Sequence, residues 1–200
     1  MMIVNGSPRA PKSNSKQYAA LFKKYWKASV EEYEVTSKKH QEACKKCEKC
    51  SHLLLVFPLY VDSLPVTLMH FLKELQKHTM QNPLTIHVLI NCGFLEPEQN
   101  FTAVDMVRLF CSQNGFCYGS TLCIGGGEAI LHTPFVLFVR RKLKKLAASI
   151  RKKENCFLKV TMPISKQAFL KAAEKYWITY GAKFHTSREQ MDTMEIESQE

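Results

Sequence analysis

Residues 4–15, V-N-G-S-P-R-A-P-K-S-N-S, break a short apolar start into a loop dense with groups that hold anions. Gly6 allows close backbone approach, and Pro8 and Pro11 stiffen the path. Ser7, Ser13, Asn14 and Ser15 bring hydroxyls, a carboxamide and a helix N-cap. A helix expected from about residue 16 to 27 aims its positive dipole end and unpaired N–H groups at the same spot. Arg9 adds a charged fork for oxygen atoms. This is the chemistry of a phosphate cradle. The spacing is neither G-x-x-x-x-G-K-S/T nor G-x-G-x-x-G, and turns rich in Ser, Pro and Asn also occur in proteins that bind no anion.

Such a loop needs a scaffold, and the hydrophobic period along the chain supplies one. Strands are expected at residues 1–5, 30–36, 52–59, 85–92 and 116–124, and helices at 15–27, 38–50, 64–77 and 99–113. From residue 125 to about 183 the chain reads as helical or irregular. Residues 140–153 repeat apolar side chains at three- and four-residue steps, which makes an amphipathic helix with a basic face. Five strands separated by helices specify an α/β domain with a parallel sheet and helices on both faces. Ligands of such sheets bind beyond the carboxyl ends of the strands, near the switch in strand order.

The loops at those strand ends therefore belong together. The third strand ends in F-P-L-Y-V-D-S-L-P, the fourth in N-C-G-F and the fifth in G-G-G-E. Tyr60 is suited to stacking on a flat conjugated ring, Pro58 and Pro65 hold their loop rigid, and Gly93 lets backbone N–H groups approach a polar ring edge. A phosphate at one end and a ring at the other describe flavin mononucleotide (FMN). Glu128 either binds near the ring or ends the glycine turn.

In this ordered set of motifs the chain resembles the flavodoxin-like NAD(P)H-dependent FMN reductases and quinone reductases. N-G-S-P-R followed by S-N-S is similar to their FMN phosphate loop, and F-P-L-Y-V-D-S-L-P to their ribityl and ring loop. N-C-G-F-L-E-P-E-Q-N with I-G-G-G-E is similar to a subgroup of NADPH-dependent FMN reductases. The resemblance implies a flavodoxin-like three-layer sandwich, a five-stranded sheet of order 2-1-3-4-5 and extra C-terminal helices. It also implies that Ser7, Arg9, Ser13, Asn14 and Ser15 hold phosphate; Pro58, Leu59, Tyr60, Val61 and Asp62 line the ribityl chain and ring; and Asn91, Cys92, Gly93 and Phe94 close the other ring edge. The implied activity carries hydride from NADPH or NADH through FMN to a quinone, free flavin, azo compound or similar small-molecule acceptor by a ping-pong route. The implied assembly is a homodimer. A flavodoxin-type electron carrier is the second reading, and a related iron–sulfur flavoprotein a third.

Composition bounds the rest. Two hundred residues with 46% apolar content suit one domain over residues 1–185, followed by a polar, acidic tail at 186–200 expected to be disordered. No stretch reaches the roughly 20 apolar residues of a membrane span, and no signal-peptide pattern opens the chain, so a cytoplasmic protein is expected. The net charge of +10 raises a nucleic-acid or lipid surface as a competing function. The Lys and Arg residues lie in helix-like stretches, which reads as solvated faces rather than a nucleic-acid or membrane partner.

Cys44, Cys47 and Cys50 share one side of a helix and read as packed thiols, since a four-iron cluster takes four thiolates. His70, His78, His87 and His132 show no metal-ligand spacing and read as structural or surface groups. No metal is expected. Met162, Phe169, Tyr176, Trp177 and Tyr180 read as core or dimer contacts.

Overall fold

The computed structural model describes residues 1–193. It divides into two units, Met1–Met162 and Pro163–Glu200.

The first unit is built on six parallel strands in the order β2-β1-β3-β4-β5-β6. The strands are β1 (Met2–Asn5), β2 (Glu31–Glu34), β3 (His52–Pro58), β4 (Thr85–Asn91), β5 (Cys117–Ile124) and β6 (Phe157–Val160). The interior strands β1, β3 and β4 are nearly continuous apolar runs because helices cover both of their faces. The edges read differently. β2 is E-E-Y-E with only Tyr33 buried, so its charges discourage pairing with a further strand. β6 alternates exposed Phe157 and Lys159 with buried Leu158 and Val160.

β6 corrects the expected five-stranded sheet. Its four residues pair in register with Thr121 to Ile124 of β5. An alternation this short, placed between two long helical stretches, is too brief to register as a period in the sequence. The remaining elements match their expected places with trimmed ends.

Helices α1 (Asn14–Lys23) and α5 (Val136–Lys152) pack against one another and cover one face of the sheet through β3 and β5. The other face carries α2 (His40–Cys47), α3 (Val66–Leu75) and α4 (Phe101–Gln113). That side holds a core of alternate strand residues, among them Val4, Leu55, Phe57, Val88 and Ile90, packed on Leu68, Phe71 and Val104. Cys44, Cys47 and Cys50 lie in the same core as free thiols. Burial pushes the Cys44 thiol up to about 12 and Cys47 higher still.

The α1 crossover leads from β1 to β2 and the α2 crossover leads back past β1 to β3, so the switch in strand order lies between β1 and β3. Among the described residues no helix is long and apolar enough to cross a membrane.

In the second unit α6 (Lys166–Ala182) begins at Ser165, whose hydroxyl accepts from the Ala168 N–H at 3.2 Å. The rings of Tyr176, Trp177, Tyr180 and Phe184 contact one another along it and are exposed, not core. Within the acidic tail, Arg188–Asp192 form the short helix α7. Ser187 and Gln190 close a reciprocal capping box, and Arg188 pairs with Glu174 at 2.6 Å. Residues 194–200 of that tail lie outside the described residues.

Candidate functional site

At the end of β1 the Gly6 N–H continues the ladder to the Val56 carbonyl at 2.8 Å. A Cβ on Gly6 would lie 2.9 Å from Leu68 Cδ2 and 3.0 Å from Phe57 Cβ, so only glycine lets the chain leave the sheet this close to α3. The loop then folds on its own side chains. The Ser7 N–H donates to Asn5 Oδ1 at 3.2 Å and the Arg9 N–H to Ser7 Oγ at 3.3 Å. Ser13 Oγ accepts from the Lys16 N–H at 3.2 Å and so caps α1, with the first turn of the helix at the loop's rim.

Asn91, the last residue of β4, ties three strand ends together. Its Nδ2 donates to the Phe57 carbonyl at 3.2 Å and to Ser15 Oγ at 3.4 Å. The Leu59 N–H donates to the Asn91 carbonyl at 2.8 Å. A Cβ on Gly127 would meet Asn91 Cβ at 2.7 Å, so the turn after β5 also closes on this residue. The Tyr18 hydroxyl, buried in α1, donates to the Gly127 carbonyl, and burial raises its pKa so that it stays a donor. The sequence gives no sign of this role, because Tyr18 reads there as one apolar position among several on the inner side of α1.

Cys92 is held among carbonyls. Its thiol lies 3.6 Å from the Phe94 and Glu96 carbonyls and accepts from Asn100 Nδ2 at 3.3 Å. Burial raises its pKa, which favours the neutral thiol.

These loops enclose a cleft of ≈160 Å³. Ser7, Arg9, Ser13, Asn14 and Ser15 line it from the β1 side, Pro58, Leu59 and Tyr60 from the end of β3. Asn91, Cys92, Gly93 and Glu128 complete it. An open groove of ≈470 Å³ continues from the α1 end, sharing Arg9, Ser13, Asn14 and Glu128 and adding Lys12 and Lys16. Lys16 pairs with Glu34 at 2.6 Å, which raises its pKa.

Three residues expected at the site do not line the cleft. Tyr60 and Ser63 bond each other through both backbone pairs, at 3.1 and 2.9 Å, around Val61 and Asp62. Both intervening residues have positive φ, 46° and 53°, the geometry of a tight turn usually built from Asn and Gly. That turn leaves Val61 98% exposed, and neither Val61 nor Asp62 lines the cleft. Phe94 is 54% exposed and also lies outside the lining.

The donor set fits FMN. Hydroxyls, a carboxamide and a guanidinium gather at a helix N-terminus, as a phosphate requires. Pro58, Leu59 and Tyr60 share the other end with Gly93, where an added Cβ would meet no atom within 4 Å, so that backbone borders open space.

No family model matches the chain, and no curated protein does. Solved structures do. An NADH:FMN oxidoreductase in its apo form superposes with a TM-score of 0.59 at 17% identity, covering 77% of this chain and 89% of that one. The flavodoxin of Streptococcus pneumonia gives 0.56 at 17% identity over 76% and 97%. An FMN-dependent NADH-azoreductase from Bacillus anthracis, in complex with FMN, gives 0.55 at 10% identity over 74% and 97%. At these identities the likeness establishes the fold: the chain adopts the flavodoxin-like arrangement, extended by β6 and the helices after it.

Proposed function

We propose that the cleft binds FMN and that the chain is an NAD(P)H-dependent oxidoreductase acting on a quinone, free flavin, azo compound or similar small-molecule acceptor. The observation that carries this reading is the convergence of four strand-end loops on one cleft with a phosphate-like end and a ring-like end. The reductases among the structural neighbours support it, since they place the same fold in service of that chemistry.

Bound there, FMN would supply the two-electron relay between nicotinamide and acceptor. The protein's part is placement. Ser7, Ser13, Asn14, Ser15 and Arg9 hold the phosphate, with Ser13 already engaged as the α1 cap and free to donate its own proton. Pro58, Leu59 and Tyr60 fix one side of the ring, and Asn91 and Gly93 offer polar groups to its edge. Cys92 packs and takes no covalent part. Two substrates using one ring face in turn give ping-pong kinetics. A homodimer and a cytoplasmic location belong to the same proposal.

The purified protein is expected to show oxidised flavin bands that bleach when NADPH or NADH is added without oxygen. Bands that persist under both nicotinamides would instead favour a carrier, a reading supported by the flavodoxin among the neighbours. A colourless protein that FMN cannot reconstitute would overturn the cofactor assignment.

A further inference from the structure

β3, β4 and β5 begin at the opposite end of the sheet, where a second cavity of ≈580 Å³ opens between their first residues and the C-terminus of α5. Its wall includes His52 and His87, and the latter is only 2% exposed. A β-bulge sets this pair. The β4–β5 register shifts between Ile86 and Val88, which oppose Tyr118 and Thr121, so β5 carries one extra residue. The bulge turns the Ser120 N–H onto His87 Nδ1 at 2.9 Å. Gly119 leaves the room for it, because a Cβ there would lie 2.3 Å from that nitrogen.

Accepting from a backbone N–H fixes the tautomer of His87. Its proton sits on Nε2 and is donated to His52 Nδ1 at 3.2 Å, which leaves His52 with its own proton on Nε2. Burial lowers both imidazoles, His87 to about 3, so each is neutral near pH 7. The same order of protons leaves His87 Nε2 without a lone pair for a metal ion.

We propose that this cavity is a second binding site and that it takes a small planar organic carboxylate. Lys153, in the left-handed C-cap of α5 at φ 56°, lines the cavity and makes no ion pair among the described residues. It is the cation for the carboxylate. Neighbouring Glu154 is engaged, its carboxylate near Lys152 at 3.9 Å and its carbonyl accepting from Ser120 and Ser149 hydroxyls. His52 Nε2–H and the Asn82 carboxamide are donors for oxygen, and Pro83, Tyr118 and Ile150 offer flat and apolar wall for a ring. The site stands at the far end of the strands from the cleft, separated by the seven residues of β3 or β4. Occupying it therefore leaves bound flavin undisturbed.

Trp26 reports on the site, because its ring meets His52 edge-on with centroids 6.3 Å apart. In the full chain carrying Trp177→Phe, Trp26 is the sole tryptophan. Benzoate is expected to change its fluorescence saturably and to shift the His52 ring nitrogen signals without altering the visible spectrum. Benzamide, the neutral counterpart, binds more weakly. Lys153→Gln, at an exposed position, weakens benzoate about tenfold, as loss of a charged hydrogen bond does, and leaves benzamide unchanged. His52→Gln weakens both. No saturable response to benzoate, an equal response to inorganic phosphate, or benzoate binding unaffected by Lys153→Gln would each overturn the proposal.

Discussion

The two ends of the sheet obtain their polar groups in different ways. Beyond the carboxyl ends of β1, β3, β4 and β5 the chain leaves the strands, and the cleft is made from loop residues and the start of α1. At the amino ends the polar groups belong to the strands themselves: His52 opens β3, and His87 sits inside β4 and is satisfied by a bulge in β5. Loops can present backbone and hydroxyl donors to a ligand at little cost to the core. A buried polar side chain within a sheet must be paired almost completely, since an unsatisfied one costs about 1–3 kcal/mol. The first end should therefore tolerate substitution in stability and lose ligand. The second should lose stability.

The largest expected effect follows from glycine. Gly119→Ala drives a methyl group into His87 and should cost about 3 kcal/mol, the upper range for overpacking, measured by urea unfolding. Gly93→Ala, at a cleft position with no atom near the added carbon, should change stability by less than about 0.5 kcal/mol. Equal losses at the two positions would remove the contrast.

Acid should act through the histidine end. His87 binds its proton near pH 3 when folded and near 6.5 when unfolded, so the unfolded chain holds more protons between those values. Stability should fall as pH drops through that window, by up to about 1.4 kcal/mol per unit from this group. His87→Gln should flatten that slope in urea midpoints taken from pH 6.5 to 4. An unchanged slope would assign acid sensitivity elsewhere.

At the cleft, Arg9→Ala should weaken FMN by about ten- to a hundredfold, the loss of a charged hydrogen bond, with an unchanged urea midpoint because Arg9 is exposed. Ser13→Ala is the exception at the cleft end, because Ser13 also caps α1, and should cost about 1 kcal/mol of stability. It should also weaken FMN, which fluorescence titration would show.

The same contrast governs what the sequence discloses. The cleft is legible because a strand that breaks into Gly, Pro and Ser changes period at the point where the cleft opens, as after Asn5 and Phe57. That Val61 and Asp62 stand outside the cleft lining is not legible, because left-handed backbone at a valine leaves no mark in residue type. β6 is hidden by its length. The His52–His87 pair is hidden for a deeper reason: a histidine inside an apolar run acquires its meaning from the Ser120 N–H on a strand 33 residues away, delivered by a bulge that needs Gly119.

The most direct test of the central claim is an anaerobic titration of the purified, FMN-reconstituted protein with NADPH and with NADH, followed by visible absorption. The account requires flavin bands that bleach with about one nicotinamide per flavin, as a two-electron relay demands, and that return when a quinone is added. Failure to hold FMN at all, or bands untouched by either nicotinamide, would contradict it.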